Sequence, residues 1–91
     1  MQDYEKLREL LAKEVYPHAF QFKFIGQNTD VFQAGIADLE IHFPELQLQT
    51  RRLSSNQKYL SVTYVFEAKT PDSIVDVYKA IAKIKDITTI L

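Results

Sequence analysis

Two runs of strict alternation constrain this chain more than anything else in it. Phe20-Gln21-Phe22-Lys23-Phe24 places every second side chain in one apolar row. Leu60, Val62, Tyr64 and Phe66 do the same against Ser61, Thr63 and Val65. A period of two is the side-chain period of a β-strand, so both runs predict strands with one face turned to a core. A third alternation, Leu46, Leu48 and Thr50 against Gln47, Gln49 and Arg51, reads as a half-exposed strand. The polar Ser54-Ser55-Asn56-Gln57 links it to the second run as a hairpin.

Between the strands the period changes. Phe32, Ile36, Leu39 and Phe43 fall in one helical stripe, opened by Asp30 or Thr29 as cap and closed by Pro44. Thr70-Pro71 starts a second helix with Ile74, Val77, Tyr78 and Ile81 inward, and Lys79, Lys83 and Lys85 toward its C-terminal end. The apolar tail from Ile87 to Leu91 reads as a last strand. Tyr4, Leu7, Leu10, Leu11 and Val15 mark an N-terminal helix over Asp3 to Lys13, stopped by Pro17. The order is a helix followed by βαββαβ. That predicts an α+β, ferredoxin-like sandwich: an antiparallel sheet of order 4-1-3-2 with two helices on one face. We divide the chain into the N-terminal helix, 1–15, and a single domain, 16–91. Ninety-one residues suffice for one small core.

Composition removes several function classes. There is no Cys, hence no disulfide, thiolate metal site or Cys nucleophile; this fits a reducing, cytoplasmic setting. His18 and His42 stand too far apart in sequence for a paired-ligand motif, and we expect no metal and no cofactor. The charged N-terminus does not read as a secretory signal, and no apolar run approaches the ~20 residues of a membrane-spanning helix. No nucleophile, base and orienting acid share a pattern, so we expect no enzyme activity and no catalytic residue. Ser54-Ser55-Asn56 lacks the Gly and the following helix of a phosphate loop and reads as a turn.

Two places remain for contact with other molecules. One is the open sheet face: Gln21, Lys23, Ile25, Gln49, Arg51, Ser61, Thr63, Val65 and Ile90, with Tyr59 at the hairpin end. We expect the N-terminal helix to cover part of it, and we single out Lys23, Gln49, Arg51, Tyr59 and Ser61 as interaction candidates. Single-stranded RNA is an alternative partner for this face. A formal net charge of -1 and the lack of outward aromatics other than Tyr59 oppose it. The uncharged Gln47-Leu48-Gln49-Thr50 stretch of an edge strand suits pairing with a second copy, so a homodimer is expected. The other place is the turn after the first strand. Gly26 is expected to end that strand, and Gln27, Asn28 and Thr29 bring polar groups to a helix start. A small anion or carboxylate could lie there, opposed by Asp30.

The segment from Tyr16 to Gly26 carries aromatic-Pro-x-x-aromatic-x-x-Lys-x-x-Gly, read as Tyr16, Pro17, Phe20, Lys23 and Gly26. Ser54-Ser55-x-x-x-Tyr59-x-Ser61-Val62, then Tyr78 and the tail to Leu91, continue it. In order and spacing the chain resembles the YbeD-like family of small bacterial proteins. It departs where Asn56-Gln57 replaces a hairpin Gly and where the N-terminal helix is longer. The resemblance implies a fold similar to ACT-type regulatory domains, a regulatory or interaction role without catalysis, and an association with lipoate metabolism. It also implies a small-ligand position near the loop after the first strand, Ile25-Gly26-Gln27-Asn28.

Overall fold

Alternation builds the strands it predicts, and the pairing register shows why. The structure, a computed structural model, describes residues 4–91. Its elements are α1 (Tyr4–Leu11), β1 (His18–Gln27), α2 (Asp30–His42), β2 (Gln47–Leu53), β3 (Tyr59–Ala68), α3 (Pro71–Ala82) and β4 (Ile87–Ile90). β1 and β3 pair antiparallel with Phe20 opposite Phe66, Phe22 opposite Tyr64 and Phe24 opposite Val62. Opposed residues share a face, so the two apolar rows become one sheet surface. The sheet order is β2-β3-β1-β4, all antiparallel, which is the expected 4-1-3-2 counted from the other edge.

α2 and α3 lie on that apolar surface. Phe32, Ile36 and Leu39 from α2 and Ile74, Val75, Val77 and Ile81 from α3 are buried with Phe22, Phe24, Val62, Tyr64 and Phe66. Phe24 stacks on Tyr64 with ring centroids 6.2 Å apart and meets Phe32 edge-on at 6.1 Å. Tyr78 is half-buried and closes on Phe22 at 5.5 Å. Thr29 caps α2, its side chain accepting from the Phe32 N–H, and Thr70 caps α3 through the Ser73 N–H, with Pro71 at the first turn.

Several expectations are corrected. α1 ends at Leu11 rather than Lys13, because the Lys13 and Glu14 amides reach back only three residues to Leu10 and Leu11, a 3₁₀-like tightening. Asp3, expected as its cap, lies outside the described residues. α1 packs on α3, not on the open sheet face. Arg8 pairs with Asp72 at 2.6 Å, and the Lys79 ammonium sits 5.3 Å from the Tyr4 ring centre. β1 does not end at Gly26 but runs through it to Gln27, and Gly26 has no positive φ.

The largest correction concerns β2. Leu48 lies opposite Tyr64 and Thr50 opposite Thr63, so the register slips by one residue at Gln49. This bulge reverses the parity of everything after it. Arg51 falls opposite Val62 on the helix side, and Arg52, opposite Ser61, takes the open-face place expected for Arg51. Leu48 is on the expected side yet half exposed, because β2 overhangs the helices. Ile90, expected on the open face, lies opposite Phe24 and packs against the core from the helix side.

Phe24 is 0% exposed and touches both the sheet and α2. Phe24→Ala should therefore cost ~3–5 kcal/mol, checked by denaturant unfolding. A loss below about 1 kcal/mol would contradict its central place in the core.

Candidate functional site

At the β1–α2 corner the expected ligand residues are held by the protein itself. Gly26 is buried opposite Leu60. A Cβ placed there would stand 2.3 Å from the Phe32 ring, so this position needs glycine for space and not for turning. The Gln27 amide donates to the Asp86 carbonyl at 2.9 Å. The Asn28 amide donates to the Lys58 carbonyl at 2.9 Å; its side chain donates to the Gln57 carbonyl at 3.0 Å and accepts from Gln33 at 2.9 Å. The Thr29 hydroxyl accepts from the Phe32 amide at 3.1 Å and donates to the Asp86 carboxylate at 2.6 Å. The corner thus ties together the β2–β3 hairpin, the α3–β4 turn and the start of α2. Asp86 and Gln57 were not singled out from sequence. Both take positive φ, 70° and 61°, in turns without Gly, and only the chain path brings them to Asn28 and Thr29.

The hairpin holds itself in the same way. Ser54 Oγ donates to Asn56 Oδ1 at 2.8 Å and accepts from the Tyr59 amide, while Asn56 Oδ1 also takes the Lys58 amide. These are turn residues, as their chemistry suggested.

The open sheet face is uncovered by α1. Lys23 and Tyr59 are exposed and Ser61 is half-buried. Gln49 reaches across to Gln21, whose side-chain amide donates to it at 2.9 Å. Thr63, in the middle of this face, is 5% exposed among its neighbours. Of the five residues proposed for contact, four share this side, and Arg51 has left it through the bulge.

On the helix side a different group assembles. The buried Tyr64 hydroxyl donates to Glu40 Oε2 at 2.5 Å. Burial first, then this bond and the Glu40 charge, push the Tyr64 pKa well above the ordinary tyrosine range, while Arg51 opposes the rise. Glu40, Tyr64 and Arg51 come from α2, β3 and β2, so no sequence spacing announces them. Leu48 and Leu53 lie on the same side of the sheet and are 50% and 45% exposed; Ile41, on α2, is 72% exposed. Ile41 carries a weak sequence signal: it is a large apolar residue outside the Phe32–Ile36–Leu39 stripe.

A cleft of about 820 Å³ separates α2 from α3 and is lined by Ala34, Gly35, Ala80 and Ile84, with Asp38 and Lys83 on its rims. Gly35 meets Ile84 at its floor: a Cβ at Gly35 would come 2.6 Å from that side chain. Among the described residues no cluster of His, Asp or Glu is placed to hold a metal ion. No described helix is long and apolar enough to cross a membrane.

A family model described as "Protein of unknown function (DUF493)" matches residues 12–91. The chain belongs to this family. It is the YbeD-like family that the Tyr16–Gly26 pattern resembles, and it carries the ACT-like βαββαβ fold. The solution structure of HP0495 from H. pylori superposes with a TM-score of 0.65 at 16% identity, covering 87% of this chain and 86% of that one. The ACT domain from the GTP pyrophosphokinase of Chlorobium tepidum superposes with a TM-score of 0.63 at 12% identity, covering 80% and 94%. No curated protein matches the chain. For this DUF493 chain the likeness at such identities is one of fold, and any function must come from its own surfaces.

Gly26→Ala should destabilise the protein by about 1–3 kcal/mol, because the new methyl group drives into the Phe32 ring. Adding Phe32→Leu should make the two losses less than additive in a denaturant double-mutant cycle. Strict additivity would show that the two positions do not share this space.

Tyr64 predicts a pH dependence. Its pKa is raised in the folded state, so its contribution is whole below about pH 10, the unfolded value, and is lost as pH rises toward the folded value. Stability should fall above about pH 10, and Tyr64→Phe should flatten that limb while lowering stability at neutral pH. Equal alkaline slopes in both proteins would exclude Tyr64 as their source.

Proposed function

We propose that the chain is a cytoplasmic, non-enzymatic regulatory or interaction module of the ACT type. The observation that carries this reading is the superposition on the ACT domain from a GTP pyrophosphokinase over most of both chains. The surfaces agree with it. The helices and α1 leave one sheet face and one sheet edge free for contact, whereas the charged groups of the chain are spread over several faces. The family resemblance adds an association with lipoate metabolism, which we carry as part of the same proposal. The β1–α2 corner is the position that the resemblance assigns to a small ligand. Because Asn28 and Thr29 already hold partners, a ligand there would have to displace Asp86 or bind backbone alone.

The competing reading is RNA binding on the open face. It predicts salt-dependent affinity for a labelled oligouridylate, because phosphate contacts release counterions. In an anisotropy titration at about 50 and 200 mM salt, the module reading expects no binding at either concentration up to ~100 µM protein. Micromolar binding that weakens with salt and is lost in Lys23→Glu would overturn it in favour of RNA.

A further inference from the structure

α2 carries more apolar residues than its buried face requires. Phe32, Ile36 and Leu39 form the stripe that enters the core. Val31, Ala34 and Gly35 form a second row beside it, and Val31 is 50% exposed. A helix that is apolar on two sides normally has cover on both. The second row lines the cleft of about 820 Å³ between α2 and α3.

The walls of this cleft are antiparallel. α2 returns from the end of β1 and α3 from the end of β3, and these two strands run in opposite directions. Gly35 is already taken up by Ile84, so its missing side chain makes no room for an occupant. Val31 and Ala34 on one wall and Ala80 on the other remain open: the first two are exposed and Ala80 is half-buried. Short side chains let a third helix settle between the walls at the ~8–10 Å axial spacing of packed helices. The lining on α2 reaches from Val31 to His42, ~16 Å of helix, which matches an occupant of about three turns.

Charge is sorted along the cleft. Asp38 and Asp76 line it toward the end of α2 and the start of α3, and Lys83 and Lys85 line it toward the start of α2 and the end of α3. Asp76 and Lys83 are separated by ~10 Å of helix rise. All four side chains belong to exposed residues, and among the described residues none has an ion-pair partner in this chain. The cleft therefore offers an apolar floor with an acidic end and a basic end, both unneutralised.

We propose that the α2–α3 cleft docks an amphipathic helix of a different protein, its apolar stripe on Val31, Ala34 and Ala80, with acidic residues at one end and basic residues at the other. This is the helix-in-groove mode of recognition, with the end charges setting specificity. Helices favour acid in their first turn and base in their last, so the occupant starts at Lys83 and Lys85 and ends at Asp38 and Asp76. A second copy has no such helix to spare. α1 spans eight residues, too few for the cleft, and α2 and α3 are its walls. The inference rests on this surface alone and does not depend on the regulatory reading.

The probe is a synthetic helical peptide of about fourteen residues with Leu and Ala along one face, Glu in the first turn and Lys in the last. Its controls carry Lys at both ends or Glu at both ends. Titrated into the isotope-labelled full chain, the bipolar peptide should shift the amide resonances of Val31, Ala34 and Ala80 with a Kd below about 1 mM, and each control should bind about tenfold more weakly. In Lys83→Glu/Lys85→Glu both ends of the cleft are acidic, so this variant should lose the bipolar peptide and gain the all-Lys one. Peptide helicity is the same against both proteins, so the switch reports the cleft alone. Ala34→Arg, at an exposed position, should abolish binding while leaving the melting temperature unchanged. No saturable shift at these amides up to about 1 mM, shifts centred on the open sheet face, or a peptide preference that the Lys→Glu variant leaves unchanged would each overturn the proposal. Dilution of the chain alone that moves the cleft resonances would also overturn it, by assigning the cleft to a second copy.

Discussion

The contact of Phe32 with β1 sets the geometry on which the remaining features rest. Along the helix-facing side of β1 the pleat presents Phe20, Phe22 and Phe24, and then Gly26. Three rings raise a wall, and the missing fourth side chain leaves a notch. Phe32, in the first turn of α2, lies in that notch against Phe24. The start of α2 is thereby pinned close to the sheet at the end of β1. Thr29 must then cap the helix at that spot, and its hydroxyl meets Asp86 as the chain returns from α3. At the far end Glu40 receives the Tyr64 hydroxyl and pins the helix a second time.

With α2 held over β3 and β1, the helical layer has no material left for β2. α1 does not help, because it adds to the α3 side through Arg8 and Asp72 and through Lys79 and Tyr4. The surface that this leaves open is of two kinds. The outer sheet face is mixed in character, and Gln21 and Gln49 bond to each other on it. The β2 edge carries Leu48 and Leu53 beside Arg51 on the helix side, with free backbone groups along its outer margin. Desolvating the first gains little, whereas covering the second removes apolar area from water and completes hydrogen bonds.

The family and its structural neighbours fit this division. At 12% and 16% identity the two structures share the path of the chain. The edge, the face and the helix cleft are free to differ, and any partner must be read from the residues each chain places there.

The order of elements, the facing of β1 and β3, the Thr70 cap and the sheet order were all legible in the amino-acid sequence, which left the α2 cap open between Asp30 and Thr29. Each follows from a local period or a local backbone need: two residues for a strand, 3.6 for a helix, a hydroxyl for an unpaired N–H. The side-chain parity beyond Gln49 was not legible. One extra residue in an edge strand leaves no mark in composition or alternation, yet it sends Arg51 to the helix side and Arg52 to the open face. The role of Gly26 was equally hidden, because sequence shows a residue that could turn and only packing shows the ring that fills its place. The position of α1, the bonds of Asn28 and Thr29 and the Glu40–Tyr64–Arg51 group all join residues far apart in the chain. Local chemistry determined which elements form and which face of each is apolar. Tertiary packing alone decided which surfaces stay uncovered, because that depends on where the helices come to rest over the sheet.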